Sequence, residues 1–256
     1  MSKNKFAKIR LFTQSKLSND ECIELTTENV HYLLNVMRKK SGDNILLFNG
    51  IDGEWLGSIE SLSKKYGTVR ILEKTREYKK EPDIWLCFAP VKNAPIQNIV
   101  QKATELGIST LQPVFTQYTV INNVNTERML ANAVEASEQS ERLSVPKIRE
   151  PIKLNNMLEN WEKDRKLILC DESGSGQPAV KALENLDNKG KYAILIGPEG
   201  GFSPTEFEIM HKKHYIIPVG LGPRILRADT AAIAAIVCYQ SILGDWDETP
   251  KFRTEN

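Results

Sequence analysis

Three stretches of this sequence combine glycine with charge in a way that could do chemistry: Cys170-Asp171-Glu172-Ser173-Gly174, Gly197-Pro198-Glu199-Gly200-Gly201 and Gly220-Leu221-Gly222-Pro223-Arg224-Ile225-Leu226-Arg227. Each follows a short apolar run of the strand type. The second leads from strand to helix, as a phosphate cradle does. It lacks the Lys-Ser/Thr of a P-loop, however, and its spacing is not Gly-x-Gly-x-x-Gly. A carboxylate inside the loop, Glu199, disfavours phosphate. Bare backbone amides and carbonyls suit a ligand with adenine, hydroxyl and ammonium groups, unless the loop is only a tight turn. In the third stretch, Arg224 and Arg227 precede a helix with Asp229-Thr230 at its cap. Cations at a helix start oppose the macrodipole. They therefore need a partner, either a carboxylate of the same chain or a group from outside it.

Little else in the composition competes with these loops. Three histidines give no Ser-His-Asp arrangement, and His211 and His214 read as a surface pair rather than a zinc site. Cys22, Cys87, Cys170 and Cys238 lie far apart without ligand spacing, as expected of buried, reduced thiols in a cytoplasmic protein. No metal site is expected. No window approaches the ~20 apolar residues of a membrane helix. No apolar run follows the basic Met1-Ser2-Lys3-Asn4-Lys5, so neither a membrane span nor a secretory signal is expected. The polar segment Glu135–Arg142 reads as a solvated helix end.

The elements that must position the loops fall into two patterns. With 41% hydrophobic and 26% charged residues over 256 positions, the chain is an ordinary globular mixture, long enough for two domains. Residues 1–75 read as short strands with turn punctuation at Asn49-Gly50 and Asp52-Gly53, interrupted by one helix over Glu28–Lys39. That suggests a small β-barrel. Lys74–Pro82 reads as a linker. From Asp83 onward, strands at Ile84–Ala89, Thr110–Phe115, Lys166–Cys170, Tyr192–Ile196 and Tyr215–Val219 alternate with helices. The first of these helices is capped by Asn93, with Pro95 in its first turn, and the last runs over Asp229–Leu243. The alternation predicts a mostly parallel sheet with helices on its faces, and ligands beyond the strands' carboxyl ends. Charge is uneven: residues 1–80 carry a net +5 and the remainder −4. A polyanion partner for the N-terminal part, or a merely solvated lysine-rich surface, would account for it.

At these loops the sequence resembles the bacterial ribosomal RNA small-subunit methyltransferase E family. The matching segments are Lys102-Ala103-Thr104-Glu105-Leu106-Gly107, Glu138-Gln139-Ser140-Glu141-Arg142, Ile196-Gly197-Pro198-Glu199-Gly200-Gly201-Phe202-Ser203 and Leu221 through Ala231. His31-Tyr32-Leu33-Leu34-Asn35-Val36-Met37-Arg38, followed by Gly42-Asp43, matches as well. Two departures keep the chemical type: Asp229-Thr230-Ala231 stands where the family usually has Glu-Thr-Ala, and Val36-Met37-Arg38 where it has Val-Leu-Arg.

The resemblance implies a PUA-like β-barrel over residues 1–75, a SPOUT α/β-knot methyltransferase domain over 76–246 with a deep trefoil knot, and a tail at 247–256. Un-knotted connection being the rule, the knot follows from the resemblance alone. It also implies a cytoplasmic homodimer that methylates N3 of a uridine in 16S rRNA of the small ribosomal subunit with S-adenosyl-L-methionine. Methylation of another RNA base by a SPOUT enzyme, and a non-catalytic RNA-binding assembly factor, are the alternatives. Cofactor contacts are expected from Leu169, Gly197, Pro198, Glu199, Gly200, Gly201, Gly220, Leu221, Gly222, Arg224, Ile225, Leu226 and Ala228. Arg142, Arg227 and Glu199 are the catalytic candidates. RNA contacts are expected from Arg10, Arg38, Lys39, Lys40 and Arg142. The small-residue face of the last helix, Ala231, Ala232 and Ala235, is the expected dimer seam.

Overall fold

A computed structural model describes residues 7–92 and 96–249. The expected helix cap at Asn93 with Pro95, and most of the tail at 247–256, lie outside the described residues. The chain divides into two compact units, Met1–Lys80 with Ser137–Val145, and Glu81–Ala136 with Pro146–Asn256. The N-terminal unit thus extends past residue 75 and takes in a segment from much later in the chain.

In the N-terminal unit the strands are β1 (Arg10–Phe12), β2 (Cys22–Glu24), β3 (Asn44–Phe48), β4 (Glu54–Leu62) and β5 (Gly67–Arg76), in the order β1-β3-β4-β5-β2. They form one curled sheet, half of a barrel. Its concave core contains Leu11, Ile23, Leu33, Ile45, Leu47 and Ile71. The β3–β4 hairpin turns where the sequence marked it, with Gly50 and Gly53 both at positive φ and Asn49 Oδ1 accepting from the Ile51 and Asp52 amides. The expected helix over Glu28–Lys39 is shorter. Helix α1 spans Thr27–His31, capped by Thr26, and continues as a π-helical turn over Tyr32–Val36. Arg38 then takes the left-handed conformation (φ 51°) and ends it. β5 runs into the segment read as a linker.

The second unit contains β6 (Ile84–Phe88), α2 (Ile96–Glu105), β7 (Thr110–Phe115), α3 (Thr126–Gln139, its last turn in the N-terminal unit), β8 (Lys147–Ile148), β9 (Ile152–Lys153), α4 (Leu154–Glu159), β10 (Arg165–Cys170), β11 (Gln177–Pro178), α5 (Ala179–Glu184), β12 (Lys191–Ile196), α6 (Pro204–His211), β13 (Ile216–Gly220) and α7 (Ala228–Ile242). The sheet runs β11-β13-β10-β12-β6-β7-β8, and every pairing in it is parallel. Leu86, Leu167, Leu169, Ala193 and Leu195 are sealed from solvent, as expected of strands covered on both faces.

Helix α7 packs on α2, α5 and β12. Ala232 and Ala235 are 2% and 4% exposed against the chain's own elements, while Ala231 is half-buried on the wall of a cavity, so two of the three residues expected at a dimer seam are already covered. Cys87 and Cys170 are buried, Cys238 is half-buried and Cys22 is exposed, which corrects the expectation that all four are interior. Burial pushes the Cys87 thiol up to about 12, so it remains protonated at neutral pH.

Candidate functional site

Because all the strands run the same way, the segments after β10, β12 and β13 leave the sheet at one edge. β10 lies between β12 and β13, so the three segments meet there. They enclose a cavity of about 510 Å³, within the usual range for a small-molecule site. Its wall includes Asp171 and Glu172 from the first segment, Gly197, Pro198, Glu199 and Gly201 from the second, and Gly220 through Ala228 from the third. Eleven of the thirteen residues expected to touch a cofactor line it. Leu169 does not, because it is fully buried within β10 one residue too early. Gly200 is also absent from the wall: a Cβ added there would face Tyr118, 3.4 Å from its Cβ.

The second loop is a closed turn, with the Gly201 amide donating to Pro198 O at 2.9 Å. Gly201 has φ 69°, and a side chain there would collide with the Glu172 carboxylate. At Gly197 a Cβ would come within 2.9 Å of the Phe202 ring. Ser203 then starts α6 with a full capping box, its hydroxyl accepting from the Glu206 amide at 3.2 Å while Glu206 Oε2 accepts from the Ser203 amide at 2.9 Å. The other oxygen of Glu206 accepts from the Gln117 amide at 2.8 Å, which ties the β7–α3 loop to this edge.

Asp171 and Glu172 place negative charge on the wall; the loop that carries them stood out in the sequence, but neither residue was among the expected cofactor contacts. Their position one and two residues past an apolar strand was the available signal. The Asp171 side chain is fully buried and accepts from the Ser173 amide at 2.7 Å and the Ser175 hydroxyl at 2.6 Å. His211 Nε2 lies 3.6 Å away. Burial opposes ionisation, but these hydrogen bonds and the nearby histidine outweigh it and hold the carboxyl below the usual range. Burial also pushes the adjacent Cys170 thiol up, so no thiolate nucleophile is present.

Arg224 and Arg227 are exposed on the cavity wall. Among the described residues neither has a hydrogen-bond or ion-pair partner, so no carboxylate of the described residues is the partner their position requires. Arg227 is the N-cap of α7 and makes no side-chain cap bond. Glu199 is exposed on the same wall.

The remaining candidates lie in the N-terminal unit. Arg38 and Lys40 are exposed and Lys39 half-buried, with no side-chain partner among the described residues. Arg10 is different. Its Nε donates to Glu54 at 2.7 Å, Nη1 to the carbonyls of Ser137 and Glu138 at 3.1 Å, and Nη2 to Arg142 O at 2.8 Å. The Ser137 and Glu138 carbonyls belong to the last turn of α3, which lacks intrahelical donors. Arg10 therefore caps a helix, is 7% exposed and cannot meet RNA, which corrects its expected role. Arg142 is 8% exposed, is not among the residues lining the cavity and donates to the Ser144 hydroxyl at 3.2 Å. Among the described residues no cluster suits a metal ion, and no helix is long and apolar enough to cross a membrane.

Comparison with known proteins places this architecture. Residues 79–240 match the RNA methyltransferase domain family, and residues 25–72 the RNA methyltransferase PUA domain. The ribosomal RNA small subunit methyltransferase E of Rickettsia conorii is 34% identical over 229 residues, covering 89% of this chain and 93% of that protein. Its counterpart in Bacillus subtilis is 29% identical, covering 90% and 95%. A methyltransferase structure from Legionella pneumophila, solved with bound S-adenosylmethionine, aligns with a TM-score of 0.82 at 31% identity, covering 93% of this chain and 98% of that one. The ribosomal RNA small subunit methyltransferase E of Neisseria gonorrhoeae, also bound to S-adenosylmethionine, gives 0.82 at 27%, covering 93% and 99%. A PUA-like half-barrel, joined in sequence to a SPOUT α/β-knot domain with its glycine loops gathered at one sheet edge, is the fold of this chain. With the matches spanning nearly its whole length, the chain belongs to the ribosomal RNA small subunit methyltransferase E family.

Proposed function

We propose that this protein is a cytoplasmic homodimer that methylates N3 of a uridine in 16S rRNA, with S-adenosyl-L-methionine as methyl donor. Dependence on S-adenosylmethionine and action on small-subunit rRNA accord with the family. The base, the atom, the dimer and the residue roles are our reading. The observation that carries it is the cavity, where Arg224 and Arg227, without a partner among the described residues, share the wall with Asp171, Glu172 and Glu199.

The wall fits the donor's chemistry. Gly197 and Gly201 let a ligand's adenine edge approach the main chain of the loop, Ile196, Leu221 and Leu226 offer apolar contact, and the carboxylates favour a cationic ligand. When bound, S-adenosylmethionine supplies a methyl group on a positively charged sulfur. Transfer is an in-line displacement, so positioning by these loops provides much of the catalysis. Uracil N3 carries a proton that must leave before or during attack. Glu199, exposed on the wall, is the acceptor in this reading. Negative charge then grows on the uracil oxygens, where Arg227 and Arg224 stabilise it. Arg142, enclosed in the N-terminal unit, is left with a structural part. Arg38, Lys39 and Lys40 bind rRNA phosphates, which positions the substrate without reading its sequence.

The deciding experiment is mass mapping of methylated uridines in 16S rRNA from cells with and without this gene. Loss of one 3-methyluridine on deletion is the expected result, and an unchanged map refutes the proposal. Sedimentation equilibrium tests the dimer, which a monomer at micromolar concentration would exclude. A cofactor titration with no heat would favour the assembly-factor alternative.

A further inference from the structure

The β7–α3 loop leaves the parallel sheet at the same edge as the cofactor loops, yet contributes nothing to the cavity wall. Its tip is a tight turn, closed by the Thr119 amide donating to Thr116 O at 3.2 Å and the Thr116 amide to Thr119 Oγ1 at 2.9 Å. Buried Glu206 holds the neighbouring Gln117 amide from the start of α6. On this braced turn stands Tyr118, 44% exposed, with no hydrogen bond or ring contact among the described residues. Its root lies against Gly200, whose neighbours Glu199 and Gly201 both line the cavity. The ring edge packs on Gly200 while much of the rest faces solvent from a hydrogen-bonded turn one residue from the cofactor pocket, more exposure than packing alone explains. The ring has the form of the stacking platforms on which proteins lay unpaired RNA bases.

We infer that Tyr118 stacks on the target base, or the base next to it, and so holds an extruded pyrimidine beside the cofactor loop. The inference rests on the RNA-methylation reading above. Stacking needs the ring and not the hydroxyl, so Tyr118 is a substrate-positioning residue and takes no part in proton transfer.

The test uses full-length parent, Tyr118→Phe, Tyr118→Trp and Tyr118→Ala, with small-subunit rRNA as substrate and S-adenosylmethionine affinity measured in parallel. Tyr118→Phe and Tyr118→Trp should methylate like the parent, while Tyr118→Ala should lose roughly ten- to a hundredfold in kcat/KM, as base–aromatic stacking implies. Cofactor affinity should be the same in all four. Full activity in Tyr118→Ala overturns the inference. So does a parallel loss of cofactor affinity, which would make the ring a brace for the loop, or equal damage in Tyr118→Phe, which would make the hydroxyl the active part. A second readout needs no turnover: emission of the Tyr118→Trp variant should be quenched by a short single-stranded, uridine-containing oligoribonucleotide, beyond any change seen in the parent. Absent quenching overturns the stacking. If the parent fails to methylate small-subunit rRNA but the quenching occurs, the reaction reading falls and the stacking site stands.

Discussion

The arginines at the cavity and the buried arginine of the N-terminal sheet meet opposite fates. Arg10 spends its donors on Glu54 and on the carbonyls of Ser137, Glu138 and Arg142. Arg224 and Arg227 spend none on the described residues and stay in water beside a pocket. Residue type is the same in both places, and what differs is whether the guanidinium's hydrogen-bonding capacity is satisfied by its own chain. A satisfied, buried arginine holds structure together. An unsatisfied one at a helix start is maintained against a local electrostatic cost, which points to a role in binding.

The comparison fails if the two classes respond alike to truncation. Arg10→Ala leaves Glu54 buried without its main partner and uncaps a helix end, and should destabilise the protein by about 3–5 kcal/mol in urea unfolding. Arg224→Ala and Arg227→Ala should change stability by no more than about 0.5 kcal/mol, as at most exposed positions. Those two variants should instead each lose on the order of tenfold or more in kcat/KM for rRNA, the value of a hydrogen bond to a charged group. An Arg10→Ala protein with parental stability, or an Arg227→Ala protein that unfolds early, would break the distinction.

The basic tip of the N-terminal unit sharpens the comparison further. Reversing Arg38 and Lys40 to glutamate should weaken rRNA binding and shrink its log–log salt slope by about 0.7–0.9 per lost phosphate contact. Cofactor affinity should not move. An unchanged salt slope in a folded variant would make this a solubilising surface.

The smallest effect is expected at Asp171. Its carboxyl is held below its unfolded value, so it contributes stability that is complete above the unfolded pKa and is lost as pH falls through the folded one. Asp171→Asn should therefore cost about 1 kcal/mol at neutral pH, the value of a typical hydrogen bond. Relative to the parent, that penalty should narrow as pH drops below about 4. A penalty independent of pH would place the effect in packing.

Much of the site was legible because glycine loops after apolar strands are a local pattern, and the position of such loops in a parallel sheet follows from topology. The misses share a cause. Whether Arg10 faces solvent or a helix end depends on Ser137–Arg142, more than a hundred residues away, and no local spacing reports that. Leu169 and Gly200 failed by one residue, at the point where strand becomes loop and where alternate backbone positions face opposite ways. Ala232 and Ala235 suggested an interface because small residues permit close approach, and the approach they permit is to α2, α5 and β12. Short elements such as β8, β9, β11 and α4 are too brief to carry a period. The helix before the basic cluster was legible, but it ends at Val36 and not at Lys39, and its π-helical turn carries no sequence mark.

The strand order also dictates when the pocket can exist during synthesis. β6 is made early, but its partner β12 begins about a hundred residues later, and β10 cannot dock beside β12 until that strand has arrived. Until then β6 offers an apolar, unpaired edge, the kind of surface on which nascent chains associate wrongly. The cavity wall reaches Ala231, so a nascent chain lacks it until the start of α7 has emerged. Cofactor binding thus becomes possible only once β6, β12, β10 and β13 have come together and α7 has begun, so the pocket is a product of long-range assembly and not of any one βα unit.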